Sequence, residues 1–250
     1  MMLLPAIDII DGQCVRLYQG DYSQATTYAT DSVEVARRWQ DAGASWLHVV
    51  DLDGAKVGQP VNAGLITRLC QETQLHIEVG GGLRTLEHIA STLAMGVERV
   101  ILGTAALTDR ELLAQALQRW GEHIVVGIDA RDGMVAIRGW RETSSVQATD
   151  LAVELSAAGV RTIIYTDIAR DGAMQGPNLA ALRTMLSALQ GSGTTLIASG
   201  GVSSLADLQR LAELDIAGAI IGKALYTGAI DLEEAIRVIE CGDTTGGSLC

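Results

Sequence analysis

The chain has 250 residues, of which 48% are hydrophobic and 19% charged, and its formal net charge is −12. This composition is typical of a globular protein, and the length suits one large domain or two small ones. The negative charge argues against nucleic acid and anionic membranes as partners, because both would be repelled.

No apolar run reaches the roughly 18 residues that a membrane-spanning helix needs. The four cysteines show no metal-ligand spacing, so reduced thiols are expected. Together these features predict a cytoplasmic protein with no membrane contact.

Eight short apolar runs alternate with helical patterns along the chain. Near-continuous apolar character predicts parallel strands that are covered on both faces. The runs are residues 2–8, 46–51, 75–80, 98–102, 124–129, 161–166, 194–199 and 217–222. Amphipathic segments such as 31–43 and 203–214 lie between them. Eight strand-then-helix units predict an α/β fold of the (β/α)₈ TIM-barrel type, with a doubly wound open sheet as the alternative.

The two halves of the sequence repeat each other. VGGGLRT (79–85) matches ASGGVSS (198–204), and VILGTAAL (100–107) matches AIIGKALY (219–226), both at an offset of 119 residues. The repeat predicts a duplicated half-barrel, and it leaves no place for the edge and switch point of an open sheet.

The predicted domain organisation follows from this repeat. We expect one barrel domain over residues 1–240, with half-barrels at about 1–120 and 121–240. A short tail, 241–250, follows. No linker-like composition separates the halves.

Each half contains one acid-bearing turn, PAIDIIDG or GIDARDG. The turns place Asp8 and Asp129 at the ends of the first and fifth predicted strands, opposite each other across the barrel mouth. Two carboxylates that face one bound molecule suit general acid–base catalysis if their environments separate their pKa values. We therefore predict that both are catalytic. Asp11 and Asp132, which precede glycines, are expected to form turns.

Glycine-bearing turns follow the third and fourth strands of each half. Glycine lets backbone N–H groups approach a ligand closely, and a helix N-terminus favours negative charge. The turns therefore predict two phosphate sites and a bisphosphorylated small-molecule substrate, although tight βα turns alone would need the same glycines. With Gly172 after the sixth strand, the predicted residues are Gly81, Gly82, Gly103, Thr104, Gly172, Ser199, Gly200, Gly201, Gly222 and Lys223.

No cofactor is expected. The histidines are unclustered, and only His48 lies on a predicted strand and points towards the mouth. Dinucleotide-binding, P-loop and nucleophile-elbow motifs are absent from the sequence. We therefore predict no metal site, and chemistry limited to proton transfer, condensation or hydrolysis.

The ordered motifs resemble one known family. PAIDIIDGQCVRLYQGDY, WLHVVDLDGAK, GIDARDG, YTDIARDGAMQGPN and IIGKALY, spread over residues 3 to about 240, are similar to those of the ProFAR isomerases of histidine biosynthesis. ProFAR is phosphoribosylformimino-aminoimidazole carboxamide ribotide. The resemblance implies an Amadori rearrangement, in which this aminoaldose becomes the aminoketose PRFAR.

The resemblance also implies residue roles. Asp8 would be the base, Asp129 the acid, and Thr166 would assist the reacting sugar. Trp140, in the long loop after the fifth strand, would stack on the aminoimidazole carboxamide base. Arginines bind oxyanions bidentately, which suits phosphate and carboxamide contacts. The expected substrate-binding residues are Arg16, His48, Arg84, Arg138, Trp140 and Asp171.

Three segments are long for barrel loops, namely 12–30, 131–147 and 169–177. We expect them to close over the substrate and exclude water. Because one chain contains both acids, a monomer is expected to suffice.

Three other functions fit parts of the pattern. The cyclase subunit of imidazole glycerol phosphate synthase shares the duplication and both aspartates. A dual-specificity isomerase would also act on phosphoribosylanthranilate, which carries one phosphate. A catalytically silent phosphate-binding barrel would bind ligand without turnover, and the intact acid pair argues against it.

Overall fold

A computed structural model describes residues 1–137 and 139–242. Eight parallel strands form a closed barrel, in the order β1, β4, β5, β6, β7, β10, β11 and β12, and β12 pairs back onto β1. In chain order the strands are β1 (Met2–Ile10), β2 (Gln13–Tyr18), β3 (Asp21–Ala29), β4 (Trp46–Asp51), β5 (His76–Gly80), β6 (Arg99–Leu102), β7 (Ile124–Arg131), β8 (Met134–Ile137), β9 (Glu142–Gln147), β10 (Thr162–Asp167), β11 (Thr195–Ser199) and β12 (Gly218–Ile221). The predicted (β/α)₈ barrel is confirmed, and each predicted strand lies within two residues of an observed one.

Helices connect successive barrel strands and cover the outside of the barrel. They are α1 (Ser32–Asp41), α2 (Leu52–Val57), α3 (Ala63–Glu72), α4 (Leu86–Leu93), α5 (Thr104–Thr108), α6 (Arg110–Trp120), α7 (Ala148–Ala157), α8 (Leu179–Ala188), α9 (Leu205–Ala212), α10 (Lys223–Tyr226) and α11 (Leu232–Ile239), with a 3₁₀ turn at Gly121–His123. Most of the core lies between the barrel and these helices. A second, smaller apolar cluster fills the barrel interior and contains Leu4, Ala6, Val125, Ile164, Ile197 and Ile220.

Antiparallel hairpins extend the first strand of each half. The segments 12–30 and 131–147, expected to be long loops, instead form the strand pairs β2–β3 and β8–β9, and only 169–177 is irregular. Each hairpin begins at an Asp-Gly turn in which both residues have positive φ, as two-residue hairpin turns require. Asp11 and Asp132 are therefore turn residues, as predicted.

The second barrel strand of each half, β4 or β10, ends in the same side-chain contact. Asn62 donates its amide N–H to Asp51 at 2.8 Å, and Asn178 donates to Asp167 at 2.7 Å. In both halves the donor follows the aspartate by 11 residues. The contact fixes the turn that follows the strand, so the duplication seen in the sequence is also present in the local structure.

Those turns pack directly on the glycine pairs of the next strands. Gly81 has φ +110°, and a side-chain carbon there would overlap the carbonyl oxygen of Asp51. At Gly200, with φ +91°, such a carbon would lie 2.8 Å from the carbonyl oxygen of Asp167. The glycines are therefore required by backbone packing, whether or not they also contact a phosphate.

Two expectations concern features outside the barrel. None of the helices in the described ranges has the length and apolar character to cross a membrane. Cys14 and Cys70 are free thiols.

Replacing Gly81 with Ala tests the packing argument, and Gly159→Ala is its matched control. Gly159 has φ +100°, but a side-chain carbon added there would meet no atom within 4 Å. Both variants incur the positive-φ cost of about 1–2 kcal/mol. Gly81→Ala should lose about 1–3 kcal/mol more through overlap, measured as the free energy of unfolding in urea. Equal losses in the two variants would contradict the argument.

Candidate active site

The barrel mouth brings together the two predicted catalytic aspartates and Thr166. Asp8 lies on β1 and Asp129 on β7, with Thr166 paired to Asp129 in the neighbouring strand β10. The carboxyl ends of parallel barrel strands meet at one face, where active sites of this fold are built. The predicted catalytic set therefore occupies the expected position.

Asp8 is buried and paired with an arginine from the adjacent hairpin. Because β2 folds back antiparallel on β1, Arg16 returns to the level of Asp8, and its Nη1 lies 3.0 Å from Oδ1 of Asp8. Burial raises the pKa of Asp8, while the charges of Arg16 and His48 lower it. The result is a desolvated carboxyl with a cation beside it.

Asp129 has a different set of partners. The side chains of Trp140 and Thr166 donate hydrogen bonds to its carboxyl group. Burial raises the pKa of Asp129, and these two donors and the charge of His48 oppose that effect. Asp8 has an ion-pair partner and Asp129 has neutral donors, so the two acids lie in different environments.

Asp171 is a third carboxyl at the same mouth. Its Oδ1 lies 3.7 Å from Nη2 of Arg16. Burial raises the pKa of Asp171 to about 6 against the effect of Arg16, and the nearby charges of Asp8 and Asp129 raise it further. A carboxyl that titrates near neutral pH can donate or accept a proton during catalysis. The sequence predicts Asp171 only as a substrate-binding residue.

His48 lies inside the barrel below these carboxyls. It is buried on β4, and its Nδ1 is 2.7 Å from Oε1 of Glu78 on β5. Its charge lowers the pKa of Asp8, Asp129 and Asp171. Glu78 was missed at the sequence level, because it occurs within an apolar run and its partner is 30 residues away.

The second half of the chain forms a cleft around two cations. Lys223 donates to the carbonyl oxygen of Gly172 at 3.1 Å, and the Arg16 guanidinium packs against Gly222. All predicted phosphate-binding residues of this half line the cleft. Its lining is Arg16, Asp171, Gly172, Met174, Ser199, Gly200, Gly201, Val202, Ile220, Gly222 and Lys223.

A second cleft is less polar, and most of its lining comes from residues 126–155 of the second half. Gly103 and Thr104 line it together with Asp129. Gly103 and Gly222 share one backbone conformation, with φ, ψ of −95°, −110° and −105°, −104°. The remaining lining residues of this cleft are Leu107, Val126, Gly127, Val135, Ala136, Ile137, Leu151 and Leu155. Gly103 and Gly222 therefore match in backbone conformation, whereas the two clefts differ in charge.

Gly81, Gly82 and Arg84, the other described first-half candidates, do not line this cleft and instead contact the segment after β4. Gly82 packs against the turn after β4, where an added carbon would lie 2.6 Å from the carbonyl oxygen of Gly54. The guanidinium of Arg84 packs over Gly58. Arg138 lies outside the described residues.

Trp140 connects the two hairpins above the mouth. Its ring packs directly on Gly20, in the turn of the β2–β3 hairpin, while its side chain donates to Asp129. Gln19 also bonds to the turn after β10, through its backbone N–H to Asp171 and its side chain to Ala169. The segments predicted to cover the site thus meet one another over it.

The site shows no cluster of metal-ligating side chains among the described residues. No group of three or more His, Cys, Asp or Glu is placed to hold a metal within the described ranges. The polar groups at the mouth are instead acids and arginine or lysine donors. The arrangement suits proton transfer on an anionic ligand.

Asp171→Asn should make the protein more stable at neutral pH. The folded pKa of about 6 exceeds the ordinary 3.8, so the folded state binds more protons and wild-type stability falls as pH rises from about 4 to 6. The variant avoids this loss and should gain up to about 3 kcal/mol at pH 7.5. Below pH 4 the two proteins should converge. Urea unfolding across this range measures the difference, and a pH-independent difference would contradict the assignment.

The chain is similar to known proteins over nearly its full length. A family model described as "Histidine biosynthesis protein" matches residues 2–231. A protein of Chloroflexus aggregans is 54% identical over 240 residues, covering 96% of this chain and 98% of the relative. Proteins of Picosynechococcus sp. (53% identity, 96% and 93% coverage) and Desulfitobacterium hafniense (50%, 96% and 97%) are similar. All three are named 1-(5-phosphoribosyl)-5-((5-phosphoribosylamino)methylideneamino)imidazole-4-carboxamide isomerase.

Proposed function

The chain belongs to the histidine biosynthesis protein family and is an isomerase of the aldose–ketose type, and we propose that it converts the aminoaldose ProFAR to the aminoketose PRFAR. The observation that carries the proposal is the position of Asp8 and Asp129, two carboxyls with raised pKa values at one barrel mouth. The names of the relatives support ProFAR as the substrate.

Asp129 is proposed as the general acid. Its raised pKa favours the protonated form, which can donate a proton to the furanose ring oxygen as the ring opens to a Schiff base. The carboxylate left behind accepts hydrogen bonds from Trp140 and Thr166. These donors stabilise the product of the proton transfer, so the acid is able to release its proton.

Asp8 is proposed as the general base. Arg16, 3.0 Å away, favours its ionised form, and burial makes the carboxylate a stronger base than it would be in water. It removes the C2′ proton of the Schiff base to give an enolamine. The enolamine then gains a proton at C1′ and loses the O2′ proton, so the overall reaction consumes no protons and needs no electron acceptor.

The two clefts are proposed to hold the two phosphates of the substrate. Lys223 and Arg16 supply positive charge in the second-half cleft. In the first half, Gly103 and Thr104 would contact the other phosphate through neutral donors. The two contacts would span the mouth and hold the reacting sugar between the acids, which lowers the entropic cost of reaching the reactive geometry.

The cyclase and the silent barrel are less well supported. The relatives named above are isomerases over nearly the full length of the chain. Both acids and both clefts come from a single chain, so the proposed working unit is a monomer. The proposed location is the cytoplasm.

Asp8→Asn and Asp129→Asn should each lower ProFAR turnover about 10²- to 10⁴-fold, because each removes one proton-transferring group. Binding of the bisphosphorylated substrate, measured by calorimetry, should change little, since the proposed phosphate contacts are Arg16, Lys223, Gly103 and Thr104, and all four are kept in both variants. Asp132→Asn is the control. It lies three residues after Asp129 in an exposed hairpin turn whose positive φ suits Asn.

Turnover within threefold of wild type in either acid variant would show that the altered residue is not the proposed acid or base. A loss of turnover in Asp132→Asn of the same size would show that the hairpin, and not the carboxyl at the mouth, is responsible.

A further inference from the structure

A line of polar side chains crosses the inside of the barrel beneath the mouth. His48 Nδ1 lies 2.7 Å from Glu78 Oε1, and Glu78 Oε2 lies 2.6 Å from Nη2 of Arg99. The Arg99 guanidinium stacks on the Trp46 ring at 4.0 Å. The strand register places these groups side by side, since His48 pairs with Glu78, and Glu78 with Arg99.

Stability alone does not account for this line. The side chain of Glu78 is 0% exposed and that of Arg99 is 12% exposed. Barrel interiors of this kind are normally filled by branched apolar side chains, and buried ion pairs are often no more stabilising than apolar residues of similar size. A buried carboxylate in this position therefore points to a second role.

We propose that Glu78, held by Arg99, is a positioning residue that fixes the orientation and the Nδ1–H form of the His48 ring below the catalytic aspartates. This inference rests on the proposed function for its effect on turnover. Its structural part, the state of the His48 ring, does not depend on which substrate the enzyme uses.

The donor and acceptor properties of the three groups fix the hydrogen positions. Hydrogen bonds to His48 and Arg99 hold the pKa of Glu78 below its usual value despite burial, so its carboxylate only accepts. Arginine only donates. The His48 nitrogen that faces Glu78 must then carry a hydrogen, and Nε2 lies on the other side of the ring.

Glu78→Gln should reverse this arrangement. The amide has one accepting and one donating end. Because Arg99 can only donate, it should take the amide oxygen, and the amide NH₂ should then face His48. Nδ1 must become an acceptor, so it loses its hydrogen, and the ring carries one on Nε2 only. The change removes no heavy atoms from the barrel and alters only which group donates.

The state of the ring can be read from ¹⁵N chemical shifts of histidine-labelled full-length protein. The chain has four histidines, and a His48→Gln variant assigns the relevant signals. Wild type should show protonated Nδ1, and Glu78→Gln should show unprotonated Nδ1. The kcat/KM for ProFAR should fall about 10- to 100-fold, the range found when a group that orients a metal-bound histidine is lost.

Glu98→Gln is the matched control. Glu98 lies 3.5 Å from Nδ1 of His76, and both side chains are largely exposed, so this is a second Glu–His pair outside the barrel interior. Its substitution should change neither the His48 signals nor turnover.

The double variant Glu78→Gln/Arg99→Met tests whether Arg99 decides which end of the amide faces His48. It also removes the arginine that would otherwise stay buried without its carboxylate. With no donor at position 99, the amide oxygen can turn to His48, which should restore protonated Nδ1 and part of the activity. This variant also serves if the single variant does not fold, as judged by its thermal unfolding.

Unchanged His48 signals in Glu78→Gln would overturn the inference. So would unprotonated Nδ1 in a variant whose kcat/KM stays within twofold of wild type. So would failure of the double variant to restore protonated Nδ1. A wild-type protein that does not turn over ProFAR would instead refute the proposed function, and the ¹⁵N signals would still test the state of His48.

Discussion

Closure of the barrel is the constraint on which the rest of the structure depends. The pairing of β12 with β1 leaves no free edge among the parallel strands, and it fixes which side chains face inwards at each level. Inward-facing residues near the strand ends, such as Asp8, Asp129 and Thr166, then have to share one mouth. The site is a direct result of strand register, and not of any local sequence motif acting alone.

The buried carboxyls at the mouth lower the stability of the folded state. Three carboxyls lie within electrostatic reach of one another, and their negative charge is opposed by Arg16 and His48. Burial raises the pKa of each carboxyl, so each costs free energy when it is ionised in the folded state. Functional sites commonly carry such costs, which the large apolar core around the barrel offsets.

The two halves of the chain are similar in backbone structure and differ in the charged side chains that they carry. Both halves repeat the Asp–Asn contact, the glycine turns and the hairpin after the first strand. Lys223 lies in the second-half cleft, whereas its counterpart in the first half is Thr104. A substrate with two different ends would be held in one direction by this difference, which equivalent half-sites could not achieve.

Much of the fold could be predicted from the sequence, because buried parallel strands leave continuous apolar runs. The hairpins could not. The strand Asp21–Ala29 is polar and mostly exposed, so it lacks the pattern that marks a strand. Glu78 and the titration of Asp171 were missed for a related reason. Their roles depend on partners that the register and the hairpin bring near from distant positions, and sequence spacing does not encode those contacts.

The central claim is that this site isomerises a bisphosphorylated aminoaldose by acid–base catalysis alone. The most direct measurement is the rate at which purified protein converts ProFAR, without ammonia or added metal, with product followed through an added cyclase and phosphoribosylanthranilate run in parallel. We predict turnover of ProFAR, and turnover of both substrates would add the dual specificity. Folded protein that converts neither substrate would contradict the claim.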